Sequence, residues 1–179
     1  MSQALNIIRE KAKPIRLVIF DVDGILTTGR IIVGPDAEES KSFHVHDGLG
    51  MKLLQKTGVK VGIITARKSA AVAKRMQHLD IMHVYQGYED KLLAYEHLKL
   101  ELQLNDEQIA YVGDDLPDLP ILRRVGLSIT VANAIPLIQQ YAYWVTQAKG
   151  GKGAAREVCD FIMQAQGTYQ TAIKFYLER

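Results

Sequence analysis

The apolar runs of this chain stop at polar residues, and stretches with helical spacing separate them. Leu17 to Phe20 runs into Asp21, Val59 to Ile64 into Thr65, and Ile109 to Val112 passes through Gly113 into Asp114. Short apolar runs of this kind make strands buried on both faces. Strands alternating with helices require right-handed crossovers, which implies an α/β fold with a mostly parallel sheet covered by helices on both sides. In such a sheet ligands gather at the carboxyl ends of the strands. Asp21, Thr65 and Asp114 are therefore expected on one edge.

The remaining segments fit the same plan. Gln3 to Lys11 predicts a short helix stopped by Pro14, and Ile31–Val33, a GPDA turn and Lys41–Val45 predict a β-hairpin. Asp47 is the expected N-cap of a helix that Gly58 ends. A helix over Ser69 to Leu79, a short strand MHVY and an amphipathic helix from Lys91 to Leu104 follow. After Asp114 come a Pro-flanked short helix, the strand LSITV, and C-terminal helices opened by Gly150 to Gly153. No internal repeat or linker divides the 179 residues, so a single domain is expected, with the hairpin over about 28–45 and a C-terminal tail over about 150–179.

Charge narrows the function. Twenty-two basic against 20 acidic residues leave a net +2, too balanced for a nucleic-acid or membrane surface. The single cysteine, Cys159, excludes an internal disulfide, and its apolar neighbourhood predicts a buried thiol. Neither a signal-peptide core nor a membrane-spanning run is evident, so a cytoplasmic location is expected. Trp144 and Tyr143 are expected in the core, while His78, His83 and His97 lie off every motif.

Taken alone, the DVDG after the first strand reads as a strand-ending turn, because Asp and Gly are common turn formers. The strand-end rule changes that, since Asp21, Asp23, Thr65, Lys91, Asp114, Asp115 and Asp118 then share one edge. Carboxylates crowded into one cleft repel unless a cation sits among them. Oxygen-only donors suit Mg²⁺, which takes one or two carboxylates together with a substrate phosphate. Lys91 supplies a fixed positive charge, and Thr65 with nearby N–H groups suits a phosphoryl oxygen.

DVDGILT, the IIT ending at Thr65, Lys91 and GDDLPD resemble, in order and spacing, the four motifs of the haloacid dehalogenase superfamily of phosphotransferases. The resemblance implies a three-layer Rossmann-like fold in which Asp21 is the nucleophile that forms an aspartyl phosphate. It makes Asp23 the general acid and then base. It also implies that Asp21, the backbone carbonyl of Asp23 and Asp114 hold Mg²⁺, with Asp118 or Asp115 in support. Only about thirty residues separate Thr28 from Val59, fewer than an ordinary cap domain of ~50 residues or more needs. A small protruding hairpin stands where a cap would be.

The hairpin together with KSFHVHDGLG and GGKGAARE is similar to the capless 3-deoxy-D-manno-octulosonate 8-phosphate phosphatase family. That resemblance implies a homotetramer whose neighbouring subunits help close each site, acting on a phosphorylated sugar acid in lipopolysaccharide assembly. It assigns substrate contacts to His44, Val45, His46, Asp47 and Gly48. Further contacts fall to Lys52 one helical turn on, to Arg67 and Arg75 as carboxylate binders, and to Lys152 on a mobile tail loop that reaches a neighbour. The family usually has Arg where this chain has His46, which makes that contact weaker or pH-dependent. A nine-carbon keto-deoxy sugar acid 9-phosphate is the alternative substrate. A non-catalytic oligomerisation module is the alternative of another class, opposed by the presence of Asp21, Asp23, Lys91 and Asp114.

Overall fold

The computed structural model describes residues 3–35 and 39–178. Its centre is a parallel six-stranded sheet built on β1 (Leu17–Phe20). Flanking β1 are β4 (Lys60–Thr65) on one side and β6 (Ile109–Val112) on the other. The sheet continues outward to β5 (His83–Gln86) beyond β4, and to β7 (Leu127–Thr130) and β8 (Trp144–Val145) beyond β6. The antiparallel pair β2 (Ile32–Val33) and β3 (Glu39–Ser40) stands apart as the hairpin.

Period-two alternation explains the three layers. From β1, Val18 and Phe20 enter the same apolar cluster as Met51, Leu54, Val158 and Ile162. These belong to α2 (Val45–Lys56) and α7 (Ala154–Ala165), and α1 (Gln3–Ala12) packs beside α7. Leu17 and Ile19 point the other way, among Tyr95, Leu98 and Ile121 of α4 (Lys91–Glu101) and α5 (Leu119–Leu122). The remaining helices are α3 (Ala70–His78), α6 (Pro136–Tyr141) and α8 (Tyr169–Leu177). Among the described residues no helix is long and apolar enough to cross a membrane.

Three local expectations are corrected. Helix α2 begins at Val45 with His44 at its N-cap, so Asp47 lies inside the first turn. Its buried carboxylate instead accepts the backbone N–H of Arg156 at 2.9 Å, tying α2 to the start of α7. The second hairpin strand is Glu39–Ser40 rather than Lys41–Val45, and part of the GPDA turn lies outside the described residues. Trp144 is half-buried, packing against the core from edge strand β8, whose partner strand among the described residues is β7, and Tyr143 is exposed. Gly151 donates its N–H to the Ile25 carbonyl at 2.8 Å, seating the start of the tail loop against the loop after β1. Cys159 is buried and free, and burial pushes its thiol well above the usual range.

Candidate active site

Phe20 pairs in register with Ile63 and Val112, so the residues after these three parallel strands emerge on one edge. Asp21 opens the loop after β1 and donates its N–H to the Val112 carbonyl at 3.0 Å. The loop turns tightly, with the N–H groups of Ile25, Leu26 and Thr27 all directed at the Val22 carbonyl. Thr65 ends β4 and is buried, its carbonyl accepting N–H bonds from Gly87 and Tyr88. A cavity of about 330 Å³ lies at this edge, lined by Asp21, Asp23, Thr65, Lys91, Asp114 and Asp118 among others.

Lys91 is the first residue of α4, whose N-cap Asp90 accepts the Leu92 N–H at 3.0 Å. That start aims a buried ammonium at the cavity floor, 2.9 Å from Asp21 Oδ1 and 2.7 Å from Asp118 Oδ1. Burial alone would lower the Lys91 pKa, but the two carboxylates outweigh it and raise it. Asp118 is fully occupied. Its Oδ1 also accepts the Tyr111 hydroxyl at 2.6 Å, and its Oδ2 accepts the N–H groups of Asp114 and Asp115 at 3.0 and 3.2 Å. Asp115 is exposed and caps the 116–118 turn through the Leu116 N–H. Of the two, Asp118 is the carboxylate built into the site.

Asp114 has the opposite status. Its Oδ1 is buried with no hydrogen-bond partner among the described residues. One oxygen each of Asp21, Asp114 and Asp118 lies within 4.8 Å of the others. Burial first, and then the Asp118 charge, push both Asp21 and Asp114 up to about 7. An orphaned carboxylate oxygen facing a second proton-hungry carboxylate is the arrangement a hard divalent cation relieves. The oxygens of Asp118 are already taken by its donors, whereas Asp114 Oδ1 is open.

Asp23 stands on the hairpin side. Its Oδ1 accepts from the Lys41 ammonium and, at 3.5 Å, from the Thr27 hydroxyl. The Arg67 Nε lies 4.0 Å from Oδ2, and the Arg67 guanidinium pairs with Glu39 of β3. Arg67 also borders a second cavity of about 700 Å³, lined by Glu39, Lys68 and Ser69, which extends the site toward the hairpin.

The other residues singled out in the sequence are not gathered here. His44, Asp47, Gly48 and Arg75 close on one another with Phe43 and Leu79 and leave no room for a water molecule. His44 and His46 meet edge to face at 4.9 Å, and exposed Val45 stands between them. Lys52 pairs with Asp80 at 3.0 Å on the surface, and Lys152 is exposed in the turn before α7. Sequence reasoning missed Lys41, Glu39 and Tyr111. Tyr111 sits inside an apolar run, where its hydroxyl gives no sign of a buried carboxylate partner.

The family model for haloacid dehalogenase-like hydrolases matches residues 80–158. A 3-deoxy-D-manno-octulosonate 8-phosphate phosphatase from Yersinia pestis is 47% identical over 91% of this chain and 87% of its own length. The chain belongs to that phosphatase family of haloacid dehalogenase-like hydrolases. Solved structures agree with membership of this phosphatase family. A haloacid dehalogenase superfamily hydrolase (subfamily III A) from Legionella pneumophila superposes with a TM-score of 0.95 at 48% identity, covering 98% of this chain and 97% of that one. The family member from Moraxella catarrhalis, in complex with magnesium ion, phosphate ion and a KDO molecule, gives 0.93 at 42% identity over 96% and 98% of the two chains.

Proposed function

We propose that the chain hydrolyses 3-deoxy-D-manno-octulosonate 8-phosphate to the free sugar acid and phosphate, with Mg²⁺ as cofactor, in lipopolysaccharide assembly. The observation that carries the chemistry is the buried carboxylate of Asp21 at the end of the central strand, with the Lys91 ammonium 2.9 Å away. The Moraxella complex supports the substrate and the ion.

Asp21 attacks phosphorus, and the P–O bond to the sugar breaks with its electron pair going to the leaving oxygen. Asp23 gives that oxygen its proton. Water then attacks the aspartyl phosphate, Asp23 takes a proton from it, and Asp21 leaves as carboxylate. Lys91 holds Asp21 in place and lessens the charge repulsion between nucleophile and phosphate. Thr65 and the N–H groups of the loop after β1 bind phosphoryl oxygens. Asp21, Asp114 and the backbone carbonyl of Asp23 would hold Mg²⁺, consistent with the unpartnered Asp114 Oδ1. An ion bound there would supply positive charge to a phosphoryl oxygen and offset the crowded carboxylates.

The chain works as a cytoplasmic homotetramer in this reading. Ile31, Ile32 and Val33 of the hairpin are each more than half exposed, which supports a face covered by another subunit. His44, Val45, His46, Asp47, Gly48, Lys52, Arg75 and Lys152, away from this chain's own cavity, then serve substrate binding across the subunit contact. Arg67 serves from within the chain, beside Asp23.

Asp21→Asn is expected to abolish turnover with the circular dichroism spectrum and oligomeric state unchanged. Rapid quench of the unmutated enzyme should trap one labile phosphoryl group per chain. Residual hydrolysis by Asp21→Asn would refute the covalent route. Measuring kcat/KM with Mg²⁺ on the eight-carbon 8-phosphate and the nine-carbon 9-phosphate tests the substrate, and a preference for the second overturns it.

A further inference from the structure

Lys41 lies immediately after β3, between the hairpin and α2. Its side chain is only 5% exposed, and its ammonium is directed at Asp23 Oδ1. A lysine is seldom buried this far without a paired charge, and here the pair is the carboxylate beside the nucleophile. The two oxygens of Asp23 are treated differently. Oδ1 takes the Lys41 ammonium and the Thr27 hydroxyl, whereas Oδ2 is buried with no hydrogen-bond partner among the described residues and lies 4.0 Å from the Arg67 Nε.

We propose that Lys41 is a positioning residue that anchors Asp23 by Oδ1 and so holds its carboxyl in the orientation that proton exchange at the cavity requires. The inference rests on the reading of Asp23 as the proton-transfer group. In the first half-reaction the Asp23 proton passes to the ester oxygen as the P–O bond breaks, leaving Asp23 as a carboxylate. In the second, that carboxylate takes a proton from the water that attacks the aspartyl phosphate, and the starting state returns. Proton transfer demands the donor within hydrogen-bond reach of the leaving oxygen. A carboxyl free to rotate would present either oxygen at variable distance, and an ammonium on one oxygen removes that freedom. The hairpin thereby fixes part of the catalytic geometry, since Lys41 follows directly from its second strand.

The experiment compares kcat/KM, with Mg²⁺ and the full chain, on the sugar-acid 8-phosphate and on p-nitrophenyl phosphate. The sugar leaves as an alkoxide that needs a proton, whereas p-nitrophenolate leaves without one. Lys41→Met is expected to lower the ratio of the two values about tenfold or more, part of the ~10²–10⁴ that proton transfer contributes. Lys41→Arg is expected to restore most of the ratio. A smaller active fraction lowers both values equally, so partial misfolding leaves the ratio untouched; if Lys41→Met is insoluble, Lys41→Gln is read the same way. An unchanged ratio overturns the inference, as does a ratio that falls equally in the Met and Arg variants. Asp23→Asn separates the underlying reading: its ratio should fall further still, and if it does not, the role of Asp23 fails independently of Lys41.

Discussion

Gly24 lies against the Asp114 carboxylate so closely that a Cβ on Gly24 would stand 2.0 Å from Asp114 Oδ2. Its φ of +90° is also one that side chains rarely adopt. The glycine of DVDG is thus required twice, once for the turn after β1 and once to admit a carboxylate from the end of β6. Gly24→Ala is expected to displace Asp114, to weaken Mg²⁺ binding and to lower kcat/KM by about a hundredfold, the scale of an ångström-sized misplacement. Isothermal titration with Mg²⁺ and a phosphate-release assay check both. Unchanged Mg²⁺ affinity would remove Asp114 from the proposed ligand set.

The crowding of Asp21 and Asp114 also sets a pH dependence. Both carboxyls rise from an ordinary 3.8 to about 7 in the folded chain without a cation, through burial and the Asp118 charge. Between those values the folded state holds more protons than the unfolded one, so stability falls as pH rises across that window. The contribution is fully present below 3.8 and lost by the time pH passes about 7. In EDTA the urea midpoint is therefore expected to drop between about pH 5 and pH 8. Mg²⁺ competes with the same protons, so its apparent affinity should rise through pH 7 with proton release on binding. A flat affinity from about pH 6 to pH 8 contradicts the proposed ligands.

The residues at the strand ends were legible because their placement needs only a pattern. Three apolar runs in parallel fix where Asp21, Thr65 and Asp114 emerge, whatever the side chains around them do. Lys91 was legible by its motif. The division of labour between Asp115 and Asp118 was not, because it depends on which carboxylate the 116–118 turn directs inward. The start of α2 was misplaced for a related reason: Asp47 is a good capping residue, but its carboxylate is taken by the N–H of Arg156, distant in sequence. Strand β8 has two residues and one neighbouring strand, too little for any periodicity to register. Lys41 and Glu39 sit on a hairpin whose strands are two residues each, and only the folded chain brings them to Asp23 and Arg67. Helical spacing likewise put Lys52 near Gly48, and Arg75 two turns along the helix after Thr65, without saying whether either faces this chain's own cavity.

The Glu39–Arg67 pair bears directly on selection of the substrate. The Arg67 guanidinium borders both cavities, beside the carboxyl expected to transfer the proton, yet it is held by a carboxylate from the hairpin. A sugar-acid substrate brings a carboxylate of its own, which must compete with Glu39 for the same guanidinium. Both side chains are about one-third or more exposed, so the pair is of the kind worth ~0.2–1 kcal/mol, a factor of up to about five in binding. Glu39→Gln is accordingly expected to lower KM for the sugar-acid 8-phosphate by up to about fivefold with kcat little changed. KM for p-nitrophenyl phosphate, which has no carboxylate, should stay where it is. A higher KM for the sugar acid alone would mean instead that Glu39 orients Arg67 for the substrate, and equal shifts for both substrates would remove Arg67 from carboxylate recognition.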